Sequence, residues 1–284
     1  MNPLLRLVRI HNVIGAGLGA FTGYVASSMW RINPVELILA VLVVALVDAG
    51  GNAINDVYDV EIDRINKPDR PIPSGAVSIG TATSLSYGLM GAGVILSALQ
   101  GYLQFLVAFL VSIALVFYAR DLKRTGIYGN LIVATATALS LFYGGLSYHE
   151  GTWLQRIWIP VLYTFLLTLS REIVKGIEDY RGDLANHVNT LATTRGIVSA
   201  WRVARISLVL TEVTSPLPLF LGYNLLYGVL LVPFLYVTTK AVLAETSEAG
   251  ASRARSLLKG SAFLGMMAFA LGSLPFQFLF HNFP

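Results

Sequence analysis

Apolar runs of about 20 residues recur from residue 11 to residue 279 of this chain, each long enough to cross a hydrocarbon layer of roughly 30 Å. They predict nine membrane-spanning helices, near residues 11–30, 34–56, 78–99, 102–119, 130–148, 157–174, 200–220, 223–240 and 257–279. Pro216, Pro218, Gly222 and Asn224 interrupt the long stretch between the seventh and eighth. That interruption reads either as a true break or as a kink, and a kink would leave eight spans. The first run follows Arg6 and Arg9, as in a signal peptide, but similar runs continue along the chain, which makes it a first spanning helix.

The polar positions lie mainly at one end of these spans. With nine spans, the N-terminus and every second loop share a side, and of the 20 Lys and Arg only Arg31 and Arg156 fall on the other. Basic loops stay in the cytoplasm, so the N-terminus is expected there, in a multi-pass protein of the cell membrane. Composition agrees: 55% of the 284 residues are hydrophobic and 13% charged, against about a quarter charged in soluble domains. The absence of cysteine excludes disulfides, thiolate nucleophiles and sulfur-ligated metals.

The side rich in cations also holds the acids. Span two runs into Asn55-Asp56-Val57-Tyr58-Asp59-Val60-Glu61-Ile62-Asp63-Arg64. On a helix, Asp56, Asp59 and Asp63 fall at i, i+3 and i+7 and share a face. Three carboxylates there repel unless a cation joins them. Magnesium carried by a polyphosphate fits, because it takes hard oxygen ligands and seldom sits in an all-protein cage. A solvated acidic loop is the bland alternative. Span six ends in a similar run, in which Asp179 and Asp183 repeat the i, i+4 spacing of Asp59 and Asp63. This suggests two pseudo-repeated four-helix units around a central cavity, with two acidic clusters facing across it.

Between the clusters lies Tyr118-Ala119-Arg120-Asp121-Leu122-Lys123-Arg124, followed by Gly129-Asn130. Cations there either bind phosphate oxygens or fix topology and touch anionic lipid. Asp48 and Asn52 continue the polar face of span two inward, and Asn12 can reach the same space from span one. Ionisable groups at such depth usually line a cavity.

The motifs Asn55-Asp56-x-x-Asp59-x-x-x-Asp63 and Asp179-x-x-x-Asp183, with Tyr118…Lys123-Arg124…Gly129-Asn130 between them, resemble those of the UbiA superfamily of intramembrane prenyltransferases. The likeness runs the length of the chain and implies one domain over residues 1–284. The run Glu61 to Gly75 is similar to both archaeal digeranylgeranylglyceryl phosphate synthases and chlorophyll synthases. Arg171 to Asp183, with Thr190-Leu191 and Gly196 after it, looks like the archaeal group, although His187 stands where a small residue is expected.

The resemblance implies magnesium-dependent transfer of a geranylgeranyl or other polyprenyl group from its diphosphate, through an allylic cation, to geranylgeranylglyceryl phosphate. An aromatic acceptor such as 4-hydroxybenzoate is the alternative, and a secondary transporter a remote one. Asp56, Asp59, Asp63, Asp179 and Asp183 are then the expected magnesium ligands, and Tyr118 stabilises the cation. Asn55, Arg64, Arg70, Lys123 and Lys175 meet the diphosphate, while Asn12, Asp48 and Asn52 line the acceptor cavity. Arg9, Arg120, Arg171 and Arg181 are candidates for the acceptor's phosphate. The expected partners are the prenyl diphosphate, a lipidic or aromatic acceptor and membrane lipid, with no nucleic acid.

Overall fold

The computed structural model describes residues 2–186 and 188–275, the side chain of Arg124 excepted. His187 and the last four residues of the expected ninth span lie outside the described residues. Among the described residues the regular structure is helical, with nine helices of 18 residues or more. They are α1 (Ile10–Ser28), α2 (Pro34–Tyr58), α3 (Ile79–Ala98), α4 (Tyr102–Arg120), α5 (Ile127–Tyr148), α6 (Trp153–Glu178), α7 (Ile197–Thr214), α8 (Leu225–Val242) and α9 (Glu248–Gly272).

By length and apolarity α2 to α8 qualify as membrane spans, which makes seven where the sequence pattern predicts nine. The two shortfalls have visible causes. His11, Asn12 and four glycines dilute α1, and Arg255 and Lys259 lie within α9. The start of α9 also differs from expectation. Ser247 accepts a hydrogen bond from Gly250 N and caps the helix at Glu248, nine residues before the apolar run begins. The break between α7 and α8 is real: a single turn at Leu217–Phe220 and Gly222 at φ 88° reverse the chain. The Asn224 side chain then caps α8 through Leu226 N.

The bundle has two halves. The largest buried cluster joins α6 to α9 around Trp201, Leu208, Ile173 and Leu258, all at 1% exposure or less. Smaller clusters hold α1 to α5. α1 packs against α2, α5, α6 and α9, so it bridges the halves. It meets α5 through glycines: a Cβ on Gly23 would collide with the Leu141 carbonyl, and one on Gly144 with the Ala20 carbonyl. Close backbone approach through small residues is how membrane helices gain contact without a hydrophobic driving force.

Candidate active site

Both acidic motifs form at the same kind of bend. α2 stops at Tyr58, Asp59 takes φ −88° and ψ −3°, and a short helix runs over Val60–Asn66. α6 stops at Glu178, Asp179 takes φ −85° and ψ 4°, and a short helix runs over Tyr180–Ala185. In each case the second acid's amide bonds the first acid's carbonyl, Asp63 to Asp59 at 2.8 Å and Asp183 to Asp179 at 2.9 Å. The shared geometry supports an internal repeat, and it replaces the single continuous helix expected for Asp56, Asp59 and Asp63.

The three acids of the first motif do not all face the same space. Asp59 and Asp63 line a cavity of about 1460 Å³, whereas Asp56 does not. Asp56 is 3% exposed and lies beneath two arginines that do line it. Arg9 Nη2 donates to Asp56 Oδ1 at 2.5 Å, and Arg70 Nη1 donates to the same oxygen at 3.1 Å. Arg70 also pairs with Asp63. Arg9 adopts φ 52°, a left-handed conformation that carries strain in a residue with a side chain. Such strain is typical of functional positions.

The Lys123 loop joins this arrangement. A 3-10 turn at Leu122–Arg124 presents Lys123, which pairs with Asp59 while burial lowers its pKa against the pull of that carboxylate. Thr125 forms an isolated parallel bridge with Asn189, which ties the loop to the segment after the second motif. Tyr118 and Asn130 also face the cavity, as do Lys175, Asp179 and Asp183. Burial and then the neighbouring Asp179 raise the pKa of Asp183 to about 6. Asn52 donates to Asp48 at 2.8 Å, Asn12 reaches Asn52 at 3.4 Å, and all three line the cavity as expected.

Two expected phosphate contacts point elsewhere. Arg64 is paired with Glu61 at 3.0 Å on an exposed face, because it sits one position, about 100° of helix, past Asp63. Arg120 pairs with Asp121 at 2.7 Å, also on the surface. Arg64→Ala is therefore expected to change turnover less than about twofold, as measured by initial rates, since an exposed pair is worth little. Lys67, Glu172, Arg255 and Lys259 line the cavity and escaped the reading of the sequence. Lys67 lies one turn after Asp63, and burial, then Arg70, lowers its pKa. The i, i+4 pair Arg255 and Lys259 heads a stripe of apolar residues at helical spacing, a signal hidden while the start of α9 was unknown.

The donor set suits magnesium. Asp59, Asp63, Asp179 and Asp183 offer hard oxygens, and Asn55 Oδ1 is buried with no hydrogen-bond partner while its Nδ2 donates to Asp59 at 3.1 Å. Among the described residues no three His, Asp or Glu side chains form a ready-made metal cage.

Below this polar mouth the cavity is walled by Val43 and Val44 on one side and Leu231, Phe234 and Phe269 on the other. Acid pairs and cations above an apolar shaft, inside a bundle of apolar helices, define a membrane-embedded enzyme built for a phosphorylated substrate with a hydrocarbon chain. The chain belongs to the UbiA prenyltransferase family, which matches residues 16–276. It is 90% identical, over the whole of both chains, to the digeranylgeranylglyceryl phosphate synthase of Metallosphaera sedula. A solved digeranylgeranylglyceryl phosphate synthase superposes with a TM-score of 0.82 at 31% identity, covering 96% of this chain and 98% of the other. A UbiA homolog from Archaeoglobus fulgidus bound to GPP and Mg2+ shares the fold, with a TM-score of 0.65 at 16% identity over 94% of this chain and 99% of its own.

Proposed function

We propose that the protein transfers a geranylgeranyl group from its diphosphate to the free hydroxyl of geranylgeranylglyceryl phosphate, with magnesium, at the cytoplasmic face of the cell membrane. The observation that carries this reading is the meeting of two matched acidic bends and Lys123 at the mouth of one apolar cavity. The named relative at 90% identity supports the choice of acceptor. The concentration of Lys and Arg on the side of Arg9, Lys123 and Lys175 supports the cytoplasmic orientation.

Asp59, Asp63, Asp179 and Asp183 would hold magnesium, with Asn55 Oδ1 as a neutral donor. When bound, the metal supplies Lewis acidity that neutralises charge on the leaving diphosphate. Arg70, Lys67, Lys123 and Lys175 hold the diphosphate oxygens and favour their growing negative charge, while Asp56 holds Arg9 and Arg70 in place from beneath. The allylic carbon–oxygen bond breaks with its electron pair going to the diphosphate. The glycerol oxygen then forms the new ether bond to the allylic carbon and gives up its proton. Asp48, which lines the cavity below the first motif, or the departing diphosphate can take that proton. The apolar walls exclude water from the allylic cation, and the ring of Tyr118 can face it.

Purified protein supplied with magnesium and geranylgeranyl diphosphate tests the acceptor. Ether product is expected with geranylgeranylglyceryl phosphate and none with 4-hydroxybenzoate. Product from the benzoate alone would overturn the reading.

The pKa of Asp183 predicts a pH dependence. Its proton and the metal compete for one carboxylate, so apparent magnesium affinity should fall by up to about tenfold per pH unit below pH 6 and level off above it. For the metal-free protein the sign reverses: a carboxyl with a raised folded pKa loses stability as pH rises through about 6, and gains it as pH falls. Magnesium titrations at pH 5 and pH 7, paired with thermal unfolding in chelator, check both signs.

A further inference from the structure

We propose that α9 carries the anchor for the lipid acceptor: Arg255 and Lys259, joined by Arg171 of α6, bind its phosphate, and the apolar stripe beneath them receives its chain. This assignment rests on the phosphorylated glycerolipid acceptor proposed above and specifies where that acceptor sits.

The first ground is periodicity. Arg255, Lys259, Ala262, Met266 and Phe269 all line the cavity, and steps of four, three, four and three place them on one face of α9. Two cations therefore stand above a continuous apolar track. The apolar part of the stripe, from Ala262 to Phe269, rises about 10 Å, at 1.5 Å per residue. An extended chain of four isoprene units, with carbon–carbon bonds of about 1.5 Å, has a length on the order of 20 Å. The stripe thus fits an anionic head followed by the first half of such a tail.

The second ground is unsatisfied hydrogen-bond donors. Nε of Arg171 and Nε of Arg255 are both buried without a partner, although both residues line the cavity. Each guanidinium is steadied by an acid through Nη1, Arg171 by Glu172 at 3.1 Å and Arg255 by Glu178 at 2.5 Å. Buried N–H groups without acceptors are unfavourable, and a phosphate offers acceptors of the right charge and geometry.

The third ground is the division of cations around the cavity. Arg9, Arg70 and Lys123 are bound to carboxylates of the first acidic motif. Arg171, Arg255 and Lys259 belong to the other half of the bundle, as does Lys175, which reaches the diphosphate in the mechanism above. A reaction between two phosphorylated lipids needs two anion sites, and Arg171, Arg255 and Lys259 are cations on the cavity wall that the donor diphosphate does not use.

Steady-state kinetics with each substrate varied in turn test the assignment, using wild type, Lys259→Gln and Arg255→Gln. Arg255→Gln leaves Glu178 without its partner, so exposed Lys259 provides a variant in which folding is not at stake. The acceptor KM should rise about tenfold or more in each variant, as expected for a lost charge-assisted hydrogen bond. Donor KM, and kcat at saturating acceptor, should stay within about twofold. Geranylgeranylglycerol, which lacks the phosphate, should bind wild type and Lys259→Gln equally. An unchanged acceptor KM in Lys259→Gln, or a donor KM raised as much as the acceptor KM, would overturn the assignment alone. Wild-type protein that fails to prenylate the phosphorylated acceptor would overturn it together with the function on which it rests.

Discussion

Asp59→Ala and Asp183→Ala should each lower the rate of prenyl transfer about a thousandfold, the usual cost of removing one pre-placed group that stabilises transition-state charge. The two acids stand in different halves of the chain yet at equivalent bends, and both face the cavity. Loss of fold should not account for the effect. Asp59 pairs with Lys123 and accepts from Asn55 Nδ2 at 3.1 Å, so its removal leaves buried donors unpaired at a cost of about 1–3 kcal/mol, a fraction of a domain's stability. Asp183 makes no ion pair among the described residues, and burial with the neighbouring Asp179 outweighs the pull of Lys175 on its charge, so its loss is not expected to destabilise the fold. Single-turnover rates measured beside thermal unfolding separate the two effects. A rate within about tenfold of wild type for either variant would remove that acid from the chemistry.

The second large effect concerns the frame. Gly144→Ala, or Gly23→Ala, puts a methyl group into the backbone of the facing helix, and a carbonyl cannot yield as a flexible side chain can. α1 and α5 must separate, at a cost of about 3 kcal/mol, the upper end for overpacking. The movement would also reach the site, because Asn12 and Asn130 lie on the same two helices. Gly91→Ala is the matched control. No atom lies within 4 Å of the Cβ it would gain in the middle of α3, so the helix should gain up to about 1 kcal/mol in propensity. Thermal unfolding in detergent should thus shift in opposite directions for the two substitutions.

The spans were legible because apolar runs of membrane length leave few other structures open to the chain. The acidic motifs were legible because their spacing repeats and because the charge pattern puts both on one side. The bends at Asp59 and Asp179 were not, since Val57 to Asp63 carries neither proline nor glycine and reads as unbroken helix. Their consequence, with Asp56 turned under Arg9 and Arg70, depends on contacts between residues 47 and 14 positions apart. Arg64 and Arg70 show the same limit. Both follow the acids, but the turn through Pro68 and Pro71 brings only Arg70 back to them. In the sequence Arg255 and Lys259 count only among the basic residues on the side of the N-terminus, and their place on the cavity wall follows from the register that the Ser247 cap sets for α9.

The most direct test of two acidic halves acting as one site is magnesium-dependent binding of a non-ionising thiolodiphosphate analogue of the donor. It should be measured for wild type, Asp59→Ala, Asp183→Ala and the double variant. Each single substitution should weaken binding on the order of a hundredfold, and the double little further, because groups that act as a unit are strongly non-additive. Losses that multiply in the double variant, or an Asp183→Ala protein that binds like wild type, would contradict a shared site.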